Sequence, residues 1–297
     1  MLRIATTPAI WTNEDDTQLD AGVKPEALIS EIADLGYEGV EDGRGLPQDP
    51  AALKDALANG KLDLVASYHG TNLLNLSVEE EREAMEAVVA RMKTVGCQTL
   101  ILREVSNAIF AKDVPMSKQP SLTAEEWDSF GLKLEQLATW LADQGITAVY
   151  QPYTGTVVQT PEEVDKLMME TGPNLFLLFD TAQVYVGGGE PTQVLTRHLP
   201  RVRHVHLGDV RVRPLTKARM SDQSWKEAVR NGIFTLPGDK DGSVDFRTVM
   251  NLLTASNYEG WLTVSAGLDP ERTNISEVQR LAYRTVAGLA GRSQQAA

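Results

Sequence analysis

The chain has 297 residues, 42% hydrophobic and 23% charged, the composition of an ordinary globular protein that buries a sizeable core, which excludes a disordered chain. Its net charge of -13 opposes nonspecific binding to nucleic acid or to an anionic membrane, both of which carry the same sign, and favours small-molecule partners. MLRIATTPAI is interrupted by WTNEDD too early for a signal peptide, and no run of about 18 apolar residues occurs, so a cytoplasmic protein is expected.

Short apolar runs rich in Val, Ile and Leu recur between longer stretches of helical period, the pattern of βα units. Eight candidate strands stand at residues 2–5, 39–41, 63–67, 99–102, 147–150, 176–179, 202–205 and 261–264. Amphipathic segments predict helices at 25–35, 50–58, 78–95, 124–144, 161–171, 191–199 and 246–256, each opening near a Pro, Asp, Ser or Thr start signal. Gly36, Gly96 and Gly145 stand just ahead of the next strand, as helix C′ residues do. The lone Cys97, in the apolar VGCQTLIL, rules out an intrachain disulfide and reads as a reduced, buried thiol. A closing helix over 276–291 is followed by a tail at 292–297.

Eight parallel strands close into a barrel or lie in an open sheet. No GxGxxG follows the first strand, where a dinucleotide-binding open sheet would place its phosphate turn, so the pattern predicts a single (β/α)8 TIM barrel over residues 1–291. Two connections are longer than a βα unit requires, 106–123 after strand four and 208–244 after strand seven. Both leave strand C-termini, where a barrel builds its active site, although a surface insertion is the simpler alternative.

Polar residues just past the strands are then the candidates: Glu41-Asp42, Tyr68-His69, Arg103-Glu104, Gln151, Asp180, His206 with Asp209, and Ser265. Asp180 ends LFLLFD, too apolar a strand to hold a carboxylate that is not paired, capping or bound to a metal. His204 and His206 in HVHLGD share one side of a strand, a spacing that offers two imidazoles to one ion. His206, nearer the strand end, is the expected functional member and His204 a layer residue below it. Glu104 is a candidate ligand or base, with a simple ion pair to Arg103 as the alternative, and His69 is a candidate proton carrier or a hydrogen-bonded loop histidine. The GGGEP turn at 187–191 lacks the Lys and Ser/Thr of a phosphate loop.

WTNEDD, REVSNAIFAKDVPMSKQP, TGTVVQTPEEVDKLM, LLFDTAQ, HVHLGDVR, FTLPGDKDGSVDF and YEGWLTVSAGLDP, in one order along nearly the whole chain, resemble the inosose dehydratases within the xylose isomerase-like sugar isomerase/epimerase barrels. The resemblance implies a barrel that dehydrates a keto-cyclitol. A divalent ion polarises the ketone, a base takes the α-proton, and an acid assists loss of the β-hydroxyl. It implies Asp180, His206 and Glu104 as metal ligands for manganese, cobalt, magnesium or zinc, and Glu104, His69 and His206 as catalytic groups. Trp11, Asn107, Gln151, Tyr153, Gln183 and Arg211 are implied as substrate contacts, and a homodimer or homotetramer as the assembly.

This chain departs from the pattern at the strand ends. Gln151-Pro152-Tyr153 replaces a His-rich run, Ala182-Gln183 replaces the Gly-His of DTGH, Gly208 replaces a lysine, and Ser265 stands where the wider family carries a metal-binding glutamate. Three readings follow: a metal-assisted keto-polyol dehydratase or isomerase/epimerase, a lyase or isomerase that uses no metal, and a noncatalytic sugar- or cyclitol-binding member.

Overall fold

The computed structural model describes residues 2–292. Its strands in chain order are β1 (Arg3–Thr6), β2 (Gly39–Val40), β3 (Asp63–Leu64), β4 (Ser67–Thr71), β5 (Thr99–Glu104), β6 (Thr147–Tyr150), β7 (Leu175–Asp180), β8 (Val202–Leu207), β9 (Asp209–Val210), β10 (Phe234–Thr235) and β11 (Trp261–Val264). The main sheet runs β3-β2-β1-β11-β8-β7-β6-β5-β4, and every pair within it is parallel.

Its two end strands, β3 and β4, are halves of one stave. Residues 63–66 bond to the second strand, with Val65 N–H donating to the Val40 carbonyl and Asp42 N–H to that of Ala66, while Ser67–Thr71 pair with β5. The nine strands are therefore eight staves of a closed barrel, and the third, predicted as one run over 63–67, is broken where it changes partner. Gly39 permits the close approach at the break, since a β-carbon there would stand 2.3 Å from Val65 Cγ1.

The helices sit where the start and stop signals place them. Ser77, Thr123 and Thr160 form capping boxes with Glu80, Glu126 and Glu163, and Gly96 closes Val78–Val95 at φ 84°. The long α/β core lies between staves and helices, and a second apolar cluster of Ala66, Ile101, Val149 and Leu178, joined by Tyr68 and Phe176, fills the barrel itself. Cys97 is buried and bonded to the Thr99 carbonyl.

The expected tail begins with Arg292, which is tied to Glu38 and the Leu2 carbonyl. Residues 293–297 lie outside the described part. Among the described residues no helix is long and apolar enough to cross a membrane.

The two long connections are structured. The second contains helices Val212–Met220 and Trp225–Arg230 and the antiparallel pair β9 and β10. It is joined to the first through a Pro115–Ser224 bridge and the Ser117–Asp222 hydrogen bonds, and to the WTNEDD segment through the Arg230–Asp16 ion pair.

Candidate active site

A cleft opens at the C-terminal ends of the staves, where such barrels assemble their sites. Alternation along each strand decides what enters it. On β5, Ile101 and Arg103 line the cleft, whereas Glu104 points outward. Its carboxylate accepts hydrogen bonds from Thr71 Oγ1 at 2.8 Å, Leu73 N–H at 2.9 Å and Ser106 N–H at 3.0 Å. On β4, Tyr68 lines the cleft, and His69 faces helix Val78–Val95, its Nε2 2.6 Å from Glu81 Oε1. Glu104 and His69 thus lie on the outer sides of their strands, since neighbours on a strand face opposite sides.

A bulge between β7 and β8 sets the phase of the remaining groups. Leu177 pairs with Val202 but Leu178 with His204 and Asp180 with His206, so Arg203 is the extra residue and both histidines face inward beside Leu178 and Asp180. His204 is buried one layer down, as expected.

Both imidazoles converge on Glu41, at the end of the second stave. Glu41 Oε1 stands 2.6 Å from His204 Nε2 and 2.7 Å from His206 Nε2. On the other side of His206, Nδ1 lies 3.4 Å from Asp180 Oδ2, while Asp180 Oδ1 accepts the amides of Ala182 and Gln183 that open helix Thr181–Val186. Burial alone would lower His206, but Glu41 and Asp180 override it and raise it to about 10, so it is an imidazolium at neutral pH. Burial would likewise raise Glu41, yet the imidazolium and the two ring contacts hold it well below the carboxylate range. His204 is shifted down by burial and stays neutral.

Gln151, Tyr153, Gln183 and Ser265 line the cleft. Gln151 Oε1 accepts Arg103 Nη2 at 2.6 Å, the Tyr153 hydroxyl donates to Asp15 at 2.7 Å, and Gln183 Oε1 accepts the Thr154 amide at 3.0 Å. The other implied substrate contacts lie elsewhere. Trp11 is buried with its indole N–H on Glu31, Asn107 is exposed beyond the cleft, and Arg211 staples β9 to β10 through Asp239 and Thr235. Glu41, Arg103 and Tyr68 stand at strand ends in the sequence, and only their inward parity separates them from their neighbours.

One group among the described residues brings three potential metal ligands together, Glu41, His204 and His206, all within 4.8 Å. Its donor types suit a borderline divalent ion. Its spacing does not, because ligands at about 2.1 Å from one tetrahedral ion stand roughly 3.4 Å apart, whereas both Nε2 atoms meet one oxygen at hydrogen-bond distance. At the strand ends, Asp180 and His206 have a neutral amide and a hydroxyl beside them, Gln151 is taken by Arg103, and Glu104 is absent. As arranged, neither set fits a divalent ion.

A family model described as "Xylose isomerase-like TIM barrel" matches residues 29–283. The chain belongs to this family. Within it, the chain is 36% identical over 290 residues to the rhizopine catabolism protein MocC of Rhizobium meliloti, covering 97% of this chain and 89% of that one. It is 37% identical over 279 residues to an inosose dehydratase of Geobacillus thermodenitrificans, covering 93% of each. Among solved structures it resembles the 3-keto-D-glucoside 4-epimerase YcjR of E. coli, with a TM-score of 0.66, 16% identity, and 98% of this chain and 100% of that chain covered. A D-allulose 3-epimerase of Methylomonas sp. gives a TM-score of 0.67 at 18% identity, over 98% of this chain and 97% of that one. At those identities the likeness is one of fold.

Proposed function

We propose that the chain is a lyase of the inosose dehydratase type, acting on a keto-polyol by removing a proton next to the ketone and expelling the neighbouring hydroxyl as water. The observation that carries the reading is the Asp180–His206 pair, locked by Glu41 from behind and open to the cleft in front. The inosose dehydratase relative, similar along the whole chain, supports the reaction class.

In this reading Asp180 Oδ2 accepts the α-proton, the C–H electron pair becomes the C=C bond as the adjacent C–O bond breaks, and His206 Nδ1–H protonates the departing hydroxide. Water and an unsaturated ketone result, and solvent exchange returns Asp180 and His206 to their starting forms. Glu41 holds His206 as the acid and fixes its ring. Because neither ligand set fits a divalent ion, no step is routed through one, and the positive charge at the reacting carbons comes from His206.

The test is turnover of a panel of keto-cyclitols and keto-sugar acids, followed by loss of ketone and appearance of the enone. Asp180→Asn, which keeps the helix cap, and His206→Gln are expected to lower kcat of the folded protein by about 10²- to 10⁴-fold. Undiminished turnover in both variants, or none by the parent on any member of the panel, overturns the reading.

A further inference from the structure

Arg103 is a buried cation that makes no ion pair among the described residues, with the Asp15 and Glu14 carboxylates near enough to act on it only through space. Its side chain is 7% exposed, its guanidinium carbon lies 3.6 Å from the Tyr153 ring centroid, with Tyr68 and Phe110 at 5.0 and 5.4 Å, and its one side-chain hydrogen bond goes to the neutral Gln151. Nε is buried with no partner, Nη1 makes no hydrogen bond among the described residues, and no ion pair to Arg103 forms among them. Taking a guanidinium out of water costs several kcal/mol unless charge and hydrogen bonds compensate, so this is not how a fold spends a core position.

The carboxylates nearby are engaged elsewhere. Glu41 holds two histidines, Asp42 pairs with Arg91 at 2.8 Å, Asp15 takes the Tyr153 hydroxyl, and Asp180 caps a helix and faces His206. Glu14 lines the cleft together with Arg103, the cation that acts most strongly on its carboxyl, but forms no ion pair with it among the described residues. Three aromatic rings surround the guanidinium, and Arg103 lines the cleft with Nη1 free of hydrogen bonds among the described residues, a charged donor suited to an oxygen of a carboxylate.

We propose that Arg103 is the anchor for an anionic group on the substrate, so that the keto-polyol handled here carries a carboxylate. This rests on the reading of the cleft as a keto-polyol lyase site and adds the charge of its substrate. A single unpaired guanidinium matches a monoanion. Among the described residues that line the cleft, the other cation, His206, is already shared between Glu41 and Asp180. The anchor also sets distance: Gln151 links Arg103 to the neighbourhood of His206 Nδ1, 3.5 Å from its own Nε2, so a bound carboxylate holds the adjoining carbons beside the proton-transfer pair.

The experiment compares two polyols of equal length on the whole protein, D-gluconate and D-glucitol, by calorimetry and thermal shift, alongside turnover of keto-polyols with and without a carboxylate. Gluconate is expected to bind and glucitol to bind more weakly. Arg103→Met should weaken gluconate by about 10- to 100-fold and leave glucitol unchanged, with Arg103→Lys in between. Tm of unliganded Arg103→Met should equal or exceed that of the parent, which separates lost binding from lost folding. Equal affinity for the two polyols, or a gluconate preference that survives in Arg103→Met, overturns the proposal. So does a matched effect of Glu14→Gln and Arg103→Met on Tm without any effect on gluconate, which would make Arg103 a counterion to Glu14. Turnover of a neutral keto-cyclitol untouched by Arg103→Met would sink this inference while sparing the lyase reading. Arg103-dependent gluconate binding with no turnover of any ketone would do the reverse.

Discussion

Gly208 faces the backbone carbonyl of Ser265 so closely that a β-carbon on it would lie 2.4 Å from that oxygen. Two of the strand-end departures, just after β8 and just after β11, are thus one packing unit. No side chain fits at position 208 with this backbone. Gly208→Ala is expected to cost about 1–3 kcal/mol through overpacking, visible as a Tm several degrees lower. An unchanged Tm would show that the two segments separate freely.

Converting the cleft toward a metal site needs carboxylates at both replaced positions. Gln151→Glu with Ser265→Glu adds two hard oxygen donors beside Asp180 and His206, and the double variant should bind manganese at least about tenfold more tightly than the parent by calorimetry. Equal affinity would mean that positions 151 and 265 do not converge on one point.

The buried cluster makes stability depend on pH from both sides. His206 is raised from 6.5 to about 10, so its contribution is whole below pH 6.5 and is lost as pH rises through 10. Glu41 is depressed, so its contribution is present above 4.5 and lost as pH falls. His204 is also depressed and adds a loss below 6.5. Tm should therefore peak near pH 6.5, and Glu41→Gln, which breaks a buried pair at a cost of about 3–5 kcal/mol, should flatten the decline between pH 7 and 10. Parallel parent and variant curves would refute the coupling.

Glu104 is expected to act on folding and not on chemistry. Its carboxylate gathers Thr71, Leu73 and Ser106, and Glu104→Ala should lose about 2–4 kcal/mol by urea titration, since it strands several buried donors. The folded fraction should keep kcat within about threefold. A loss of more than about a hundredfold in kcat with unchanged stability would return Glu104 to the catalytic set.

Cys97 should be silent to thiol reagents. Burial pushes its thiol up to about 12, which leaves roughly one part in 10⁴ as thiolate at pH 8. Iodoacetamide is expected to label the protein only after urea, and rapid labelling of the native state would contradict the buried placement.

Much of the site was within reach of strand parity. Since Ile101 and Val149 fill the barrel, Arg103 and Gln151 must face inward and Glu104 outward, and the same argument selects Tyr68 over His69. Parity could not settle β8, where the bulge at Arg203 shifts the phase, nor find the break at residues 65–66 that lets the third stave change partners.

What the amino-acid order determined alone is the alternation of apolar runs and capped amphipathic helices, and with it the barrel and the end that holds the cleft, because strand, cap and C′ signals are local. The meeting of Glu41 with His204 and His206, residues more than 160 positions apart, was decided only by closure of the sheet. So was the lack of an ion pair to Arg103 among the described residues: which charges become partners depends on distances across the barrel, and no local pattern encodes them.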